Sequence, residues 1–218
     1  MCTTKVYLVE HQVEVPSGGL YDQYRMNPDL EKIKQIPEIT CKDFSFFQEN
    51  PKKEVTTKIG PTWSPNYYYK MKSVQFVMLA PIKECRAKVA QKFVPLSPIS
   101  DYGLVAITFY SYDVCDKDSY NEVSVAVICR QPGSTGPHIL EIIRSILSKW
   151  FYSYVIALPV TTEIARVRGK FGYDLPEWLM KIDLDIGNKE ITLMVSDMDG
   201  RNDLSIKAPA PSRSKPIP

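Results

Sequence analysis

The most informative pattern in the chain is residues 158–178, LPVTTEIARVRGKFGYDLPEW, which we call the decisive stretch. Residues 151–160, which end in this stretch, are rich in aromatic and β-branched side chains and are predicted to form a strand. Thr161 or Thr162 is predicted to cap the helix that follows, because a threonine oxygen can accept a free N–H group of the first turn. Glu163 would lie in that first turn, where the helix dipole favours a negative charge.

Three features of the stretch stand at defined distances from one another. Thr162-Glu163 follows the strand, Gly169-Lys170 follows the helix, and Pro176 stands seven positions after the glycine. In this arrangement the segment resembles the acetoacetate decarboxylase family. In that family two lysines follow the proline, and the first forms a Schiff base with the substrate ketone. Glu177 and Trp178 stand at those two positions here, so the resemblance implies the family's scaffold without its lysine pair.

The resemblance covers residues 69–191. Tyr120-Asn121-Glu122, followed by alternating apolar residues, resembles the family's Tyr-x-Glu strand, whose carboxylate lies in the active site. Residues 74–81 and 82–95 resemble the family's first strand and helix. The resemblance implies an α+β fold, in which an antiparallel β-barrel or cone surrounds a pocket and carries peripheral helices.

Several family features are changed in this chain. Loss of carbon dioxide from a β-keto acid leaves electrons that need a sink, which a protonated imine supplies, and Glu177 cannot form an imine. The family's carboxylate-binding arginine lies before the first strand, where this chain offers Lys70 or Lys72. A second family glutamate falls near Ile107-Thr108 and is absent. We therefore do not expect simple decarboxylation of acetoacetate.

Two carboxylates are the candidate acid/base groups. If Glu122 faces inward, burial should raise its pKa toward a useful range. Strand alternation alone also allows a solvated Glu122, since residues 123, 125 and 127 are valines on the other face. Glu177 can supply a second carboxylate, or it can be an ordinary turn residue after Pro176.

Arginine and aromatic side chains complete the predicted site. Arg166 and Arg168 lie on the helix that enters the motif, where they can bind a carboxylate or enolate in bidentate fashion or pair with surface acids. The predicted catalytic residues are Glu122, Glu177 and Arg166. The predicted substrate-binding residues are Arg168, Tyr120, Trp178, Tyr173, Phe171 and Lys72.

The chain is predicted to form one domain with three divisions. Residues 1–68 are predicted to be an N-terminal arm that contains a strand over 5–15, a short helix capped by Asn27 and a long irregular connection over 41–66. Residues 69–200 are the barrel core, and residues 201–218 are a Pro/Ser-rich end with no predicted strand. Further elements are predicted from apolar periodicity and turn residues. They are strands over 74–79, 103–112, 120–130, 181–186 and 189–197, and helices over 82–93 and 139–150.

Bulk composition excludes several classes of protein. The 218 residues carry a net charge of +2, which gives no reason to expect nucleic acid or an anionic membrane as a partner. Five cysteines without a C-x-x-C pair predict reduced thiols and a cytoplasmic location. Two distant histidines do not predict a metal site. We expect no cofactor, and we expect a homo-oligomer.

The sequence therefore predicts an enzyme of the lyase or isomerase/cyclase class. It would act on a hydrophobic oxo-acid, polyketide or terpenoid-like metabolite, by acid/base chemistry or templated cyclisation, in secondary-metabolite biosynthesis. One alternative is a non-catalytic protein that binds a small molecule in the barrel cavity. A second alternative is a decarboxylase in which Lys170 or Lys181 has taken over imine formation.

Overall fold

The computed structural model describes residues 2–39 and 43–210. Its strands are β1 (Thr3–Leu8), β2 (His11–Pro16), β3 (Lys53–Thr57), β4 (Gly60–Ser64), β5 (Tyr68–Pro81), β6 (Tyr102–Cys115), β7 (Tyr120–Cys129), β8 (Tyr152–Ala157), β9 (Lys181–Ile186), β10 (Glu190–Ser196) and β11 (Asn202–Pro209). Its helices are α1 (Leu20–Tyr24), α2 (Leu30–Ile33), α3 (Ser45–Glu49), α4 (Ile82–Lys88), α5 (His138–Ser148) and α6 (Glu163–Val167). A π-helical turn, Arg168–Gly172, continues α6.

The strands of the described residues form four sheets. Two are the hairpins β1-β2 and β3-β4, one has the order β11-β10-β9, and one has the order β5-β6-β7-β8. The pairings β1-β2, β3-β4, β9-β10, β10-β11 and β7-β8 are all antiparallel. The predicted α+β class with mainly antiparallel strands is therefore confirmed. No sheet of the described residues closes on itself, so the barrel or cone stays a prediction.

The predicted strand over 5–15 is wrong, because the chain reverses within it. β1 and β2 pair as a hairpin in which Leu8 faces His11 across a two-residue turn. Val9, in that turn, adopts a left-handed backbone with φ 56°. A β-branched residue rarely adopts this conformation, and the turn contains none of the residues that are usual in hairpin turns. The sequence therefore gives no sign of a turn at this position. Apolar alternation continues on both sides, which makes the hairpin look like one strand.

Two further segments contain more regular structure than predicted. The connection over 41–66 contains α3 and the β3-β4 hairpin, apart from residues 41–42, which lie outside the described residues. After residue 200, β11 pairs with β10 from Asn202 to Pro209. Both segments are rich in charged or small residues, so their strands depend on pairing with a neighbour rather than on apolar alternation. Residues 211–218 lie outside the described residues.

Several element boundaries also differ from the prediction. Helix α2 begins after Asp29, whose side chain accepts a hydrogen bond from the Glu31 N–H at 2.9 Å, so Asn27 is not its cap. Helix α4 ends at Lys88, five residues earlier than predicted. The predicted β9-β10 hairpin is present, but Ile186 pairs with Ile191 and the Gly187 N–H donates to the Glu190 carbonyl at 3.0 Å, so the turn is centred on residues 188–189, one position later than predicted.

The chain divides into two compact units. The first comprises Met1–Lys72, Tyr110–Glu122 and Pro159–Pro218, and the second comprises Ser73–Phe109 and Val123–Leu158. In the first unit one apolar cluster joins the β1-β2 hairpin to α6, and another joins Tyr112 and Tyr120 to Val160 and Ala165 of the decisive stretch. The second unit packs α4 against residues of β7 and β8. The candidate catalytic residues all belong to the first unit.

Candidate functional site

Glu122 is buried at the start of β7, with 9% of its surface exposed. Tyr120 on the same face and Val123 on the other are buried as well, so both faces of the strand are covered here. Glu122 also forms an isolated antiparallel bridge with Val160, the residue that precedes the predicted helix cap. This bridge brings the β7 carboxylate to the decisive stretch.

Three tyrosines surround the Glu122 carboxylate. The Tyr112 hydroxyl donates to Oε1 at 3.4 Å and the Tyr120 hydroxyl donates to Oε2 at 3.3 Å. Tyr68 extends the group, since its hydroxyl lies 3.3 Å from that of Tyr120 and its ring lies 4.3 Å from that of Tyr112. Burial raises the pKa of Glu122, and the two tyrosine hydrogen bonds oppose this by favouring the ionised form. Burial also raises the pKa values of Tyr112 and Tyr120, so both stay hydrogen-bond donors at neutral pH.

Glu177 approaches Glu122 because the chain after Pro176 runs beside Val160. The Val160 N–H donates to the Trp178 carbonyl at 3.0 Å, and the Met180 N–H donates to the Val160 carbonyl at 3.0 Å. Glu122 and Leu179 therefore both bridge Val160, one antiparallel and one parallel. This arrangement brings the two segments together, and the Glu122 carboxylate lies close enough to Glu177 to raise its pKa.

The Glu177 carboxyl group is buried over the backbone of Gly169. Glu177 is 4% exposed, and its Oε2 is buried with no hydrogen-bond partner. A Cβ atom built on Gly169 would overlap the Glu177 carboxyl group, so only glycine leaves room for it in this position. Burial, reinforced by the nearby Glu122 carboxylate, raises the pKa of Glu177 to about 8. At neutral pH this glutamate is therefore mainly protonated.

Lys117 is the functional candidate that the sequence did not reveal. It lies in the turn between β6 and β7, is only 8% exposed, and holds its ammonium group 4.8 Å from the centre of the Tyr120 ring. Its positive charge lowers the pKa values of both Glu122 and Glu177, against the effect of burial. A lysine in a polar turn is normally solvated, and no local pattern distinguishes this one, because tertiary packing causes its burial. We define Glu122, Glu177, Lys117, Tyr112 and Tyr120 as the carboxyl cluster.

The two predicted arginines lie apart from hydrogen-bond contact with the cluster carboxylates. Arg166 pairs with Glu163 one turn earlier, through Nε at 2.8 Å and through Nη2, yet its charge still lowers the pKa of Glu177. Arg168 is buried, and it donates to the Tyr21 hydroxyl from Nε at 3.1 Å and from Nη2 at 2.6 Å. The charge of Arg166 thus contributes to the electrostatics of the cluster.

The remaining predicted residues lie elsewhere. Trp178 and Tyr173 are exposed, and Phe171 stacks on His11 with ring centroids 4.3 Å apart. Lys72 is mostly exposed and its ammonium group lies 3.7 Å from Asp113. Lys170 and Lys181, the candidates for a relocated imine, are both exposed. A buried lysine close to carboxylates is present instead at position 117.

Several other features concern possible ligands. Among residues 2–39 and 43–210, no three His, Cys, Asp or Glu side chains are grouped as a metal ion would require. No helix in this part of the chain is long and apolar enough to cross a membrane.

Five pockets of about 280 to 660 Å³ are lined by residues other than Glu122, Glu177 and Lys117. None of these five pockets is therefore lined by the two candidate carboxyl groups.

Comparison with known proteins gives matches to solved structures alone. No protein-family model matches the chain, and no curated protein matches it. A structure titled "Structural Studies of Acetoacetate Decarboxylase" superposes with a TM-score of 0.49 at 14% identity, over 63% of this chain and 48% of that one. An acetoacetate decarboxylase from Legionella pneumophila superposes with a TM-score of 0.44 at 13% identity, over 66% of this chain and 51% of that one. The chain thus spans about half the length of the acetoacetate decarboxylase structures to which it is similar.

Proposed function

We propose that the chain is an enzyme that moves protons on a hydrophobic oxo-acid or a related polyketide or terpenoid-like metabolite, without a Schiff base at the family's lysine position. The observation that supports this most strongly is the pair of buried glutamates beside a buried lysine. Two neighbouring carboxyl groups in a poorly solvated site resist double ionisation, so one retains a proton while the other is a carboxylate. A general acid and a general base are then present together near neutral pH.

The roles follow from the electrostatics of the cluster. Glu177, with its raised pKa, is the proton donor, and Glu122 in its ionised form removes a proton from the carbon next to the substrate carbonyl. The electrons of the broken C–H bond move onto the carbonyl oxygen and form an enolate. The Lys117 ammonium group stabilises that negative charge, and Arg166 adds a weaker positive field. In a substrate with a β,γ double bond the enolate is a dienolate, and its protonation at the γ-carbon by Glu177 moves the double bond and completes an isomerisation. In a substrate with a second carbonyl group the enolate carbon attacks that carbonyl carbon, and Glu177 protonates the oxygen that receives the electrons, which closes a ring.

Tyr112 and Tyr120 hold the Glu122 carboxylate in place. Both donate to it, and both are buried, so its orientation is fixed. A fixed base reacts faster than a mobile one because the orientation does not have to be found in each turnover. Loss of carbon dioxide from an oriented, desolvated β-keto acid would be a special case of the same site.

Hydrogen–deuterium exchange at carbon tests the proposal without knowledge of the true substrate. Wild-type protein is incubated in D₂O with a panel of hydrophobic 2- and 3-oxo acids, and mass spectrometry follows exchange next to the carbonyl. We expect exchange of at least one panel member above the buffer rate. Glu122→Gln should slow it by about 10²-fold or more. The exposed Glu49→Gln is the matched control and should leave the rate unchanged.

The main alternative is a protein that binds a small molecule without changing it. The burial of the carboxyl cluster away from the five described pockets favours this second candidate. Binding of a panel member with no exchange in the wild type, and with equal affinity in Glu122→Gln, would support it over the enzyme.

A further inference from the structure

One of the five pockets of the first and second units is lined by Arg168 and other residues of the first unit, and by none of the carboxyl cluster. It has a volume of about 330 Å³, at the lower end of the range for small-molecule sites. The β1-β2 hairpin, α1, the β3-β4 hairpin and the π-helical turn each contribute to its wall. Val6, Leu8, Ile59 and Trp63 provide apolar surface, and Arg168 provides a cation. We define this space as the Arg168 pocket.

Arg168 is a buried cation without an acidic partner. It is 4% exposed, and in the described residues no carboxylate lies within ion-pair distance of it. Its Nε and Nη2 atoms donate to the neutral Tyr21 hydroxyl, while Nη1 is buried with no hydrogen-bond partner. The guanidinium also lies 5.4 Å from the centre of the Tyr21 ring. These contacts orient the group but do not neutralise it.

Another buried cation in the same unit has an acidic partner, which makes the unpaired Arg168 unusual. Lys52, whose side chain is 5% exposed, forms an ion pair with Asp116, and Asp116 in turn accepts hydrogen bonds from the Tyr67 N–H and the Tyr69 hydroxyl. An unpaired buried charge costs several kcal/mol, which pairing and hydrogen bonds normally offset. Arg168 lacks that compensation within the described chain, so an anion from outside would supply it.

A second polar group in the wall also lacks a partner. The Thr62 side chain lines the pocket, and its Oγ1 atom is buried with no hydrogen-bond partner. Arg25 adds positive charge at the wall, although Asp22 already accepts from it. Glu54 also lines the pocket and would repel a multiply charged ligand. Two wall residues thus each hold a buried polar atom without a partner, Arg168 Nη1 and Thr62 Oγ1, beside apolar surface. This set matches a single carboxylate on a small apolar group, to which both atoms become accessible when the two side chains turn toward the pocket.

We propose that the Arg168 pocket binds a small monocarboxylate with a short apolar or aromatic group. The carboxylate accepts from Nη1 of Arg168 and from the Thr62 hydroxyl, and the apolar group packs against Leu8, Ile59 and Trp63. The site does not depend on the proposed enzymatic function, because none of its residues belongs to the carboxyl cluster.

Isothermal titration at constant ionic strength tests this with benzoate and butyrate as probes. Benzamide is the neutral isostere, and inorganic phosphate is the anion without an apolar group. We expect saturable binding of benzoate or butyrate, binding of benzamide at least about tenfold weaker, and no preference for phosphate. Failure of both carboxylates to saturate, or tighter binding of phosphate, would overturn the proposal.

Four variants locate the site. Arg168→Met should weaken benzoate binding about tenfold or more, and Thr62→Val should weaken it without removing the cation. Arg144→Met, at an exposed position, and Lys117→Met, in the carboxyl cluster, should bind as the wild type does. If Arg168→Met fails to fold, Thr62→Val and the comparison of benzoate with benzamide test whether this pocket binds the carboxylate. Unchanged binding in both pocket variants, or its loss in Lys117→Met, would assign the anion to another place and refute the site.

Discussion

Replacement of Glu177 by Gln tests the electrostatics of the carboxyl cluster through protein stability. The pKa of Glu177 is raised from the ordinary glutamate value of 4.5 to about 8 in the folded chain. Above pH 4.5 the unfolded chain has released this proton while the folded chain still holds it. The contribution of Glu177 to stability is therefore fully present below pH 4.5 and is lost as the pH rises through about 8.

The magnitude follows from proton linkage. Between these two pKa values the free energy of unfolding falls by up to about 1.4 kcal/mol per pH unit because of this one group. Glu122 contributes with the same sign, because its pKa is also raised. Glu177→Gln keeps the shape of the side chain and removes its proton equilibrium. We expect the free energy of unfolding to fall with pH by about 1 kcal/mol per pH unit less in the variant than in the wild type. The variant therefore gains about 2 kcal/mol of stability relative to the wild type between about pH 5.5 and 7.5.

Urea denaturation at a series of pH values measures this slope directly. The exposed Glu49→Gln serves as control and should keep the wild-type slope. An equal slope in Glu177→Gln and the wild type would show that Glu177 ionises like a solvated glutamate. The assignment of Glu177 as proton donor would then be refuted.

Three further predictions concern the same unit. Gly169→Ala should push the Glu177 carboxyl group out of the cluster and cost about 1–3 kcal/mol of stability. It should also reduce the change of unfolding free energy with pH, as Glu177→Gln does. A change with pH equal to that of the wild type would contradict this prediction. Acetoacetate with borohydride should give no reduced adduct in mass spectra, and an adduct mapped to Lys117, Lys170 or Lys181 would show that imine formation has moved to that lysine. Lys52→Met should lower the free energy of unfolding by about 3–5 kcal/mol because Asp116 stays buried without its cation, whereas the exposed Lys83→Met should leave it nearly unchanged.

The sequence predicts the elements that have a strong local signal. The β9-β10 hairpin follows from alternation on both sides of Gly187-Asn188, and α5 follows from apolar residues at helical spacing. The β1-β2 hairpin was missed because Val9 stands where a turn normally uses glycine or asparagine. Strand β11 was missed because it is defined by pairing with β10 rather than by its own pattern.

The candidate site was only partly accessible from sequence for a similar reason. Alternation on β7 places Glu122 opposite the valines, and it cannot show that both faces of the strand are covered. Burial of Lys117 depends on packing around a turn, which leaves no periodic trace in the sequence. Arg166 and Arg168 are two residues apart on the decisive stretch, and tertiary packing gives them different partners, Glu163 and Tyr21.

The protonation state of the two glutamates is the central claim, and it can be observed directly. Carbon-13 NMR of the glutamate side-chain carboxyl carbons is recorded against pH, and Glu122→Gln and Glu177→Gln assign the two signals. We predict that the Glu177 signal titrates near pH 8, that Glu122→Gln lowers this midpoint, and that Lys117→Met raises it. Midpoints near 4.5 for both carboxyl groups, unaffected by the lysine, would contradict the account.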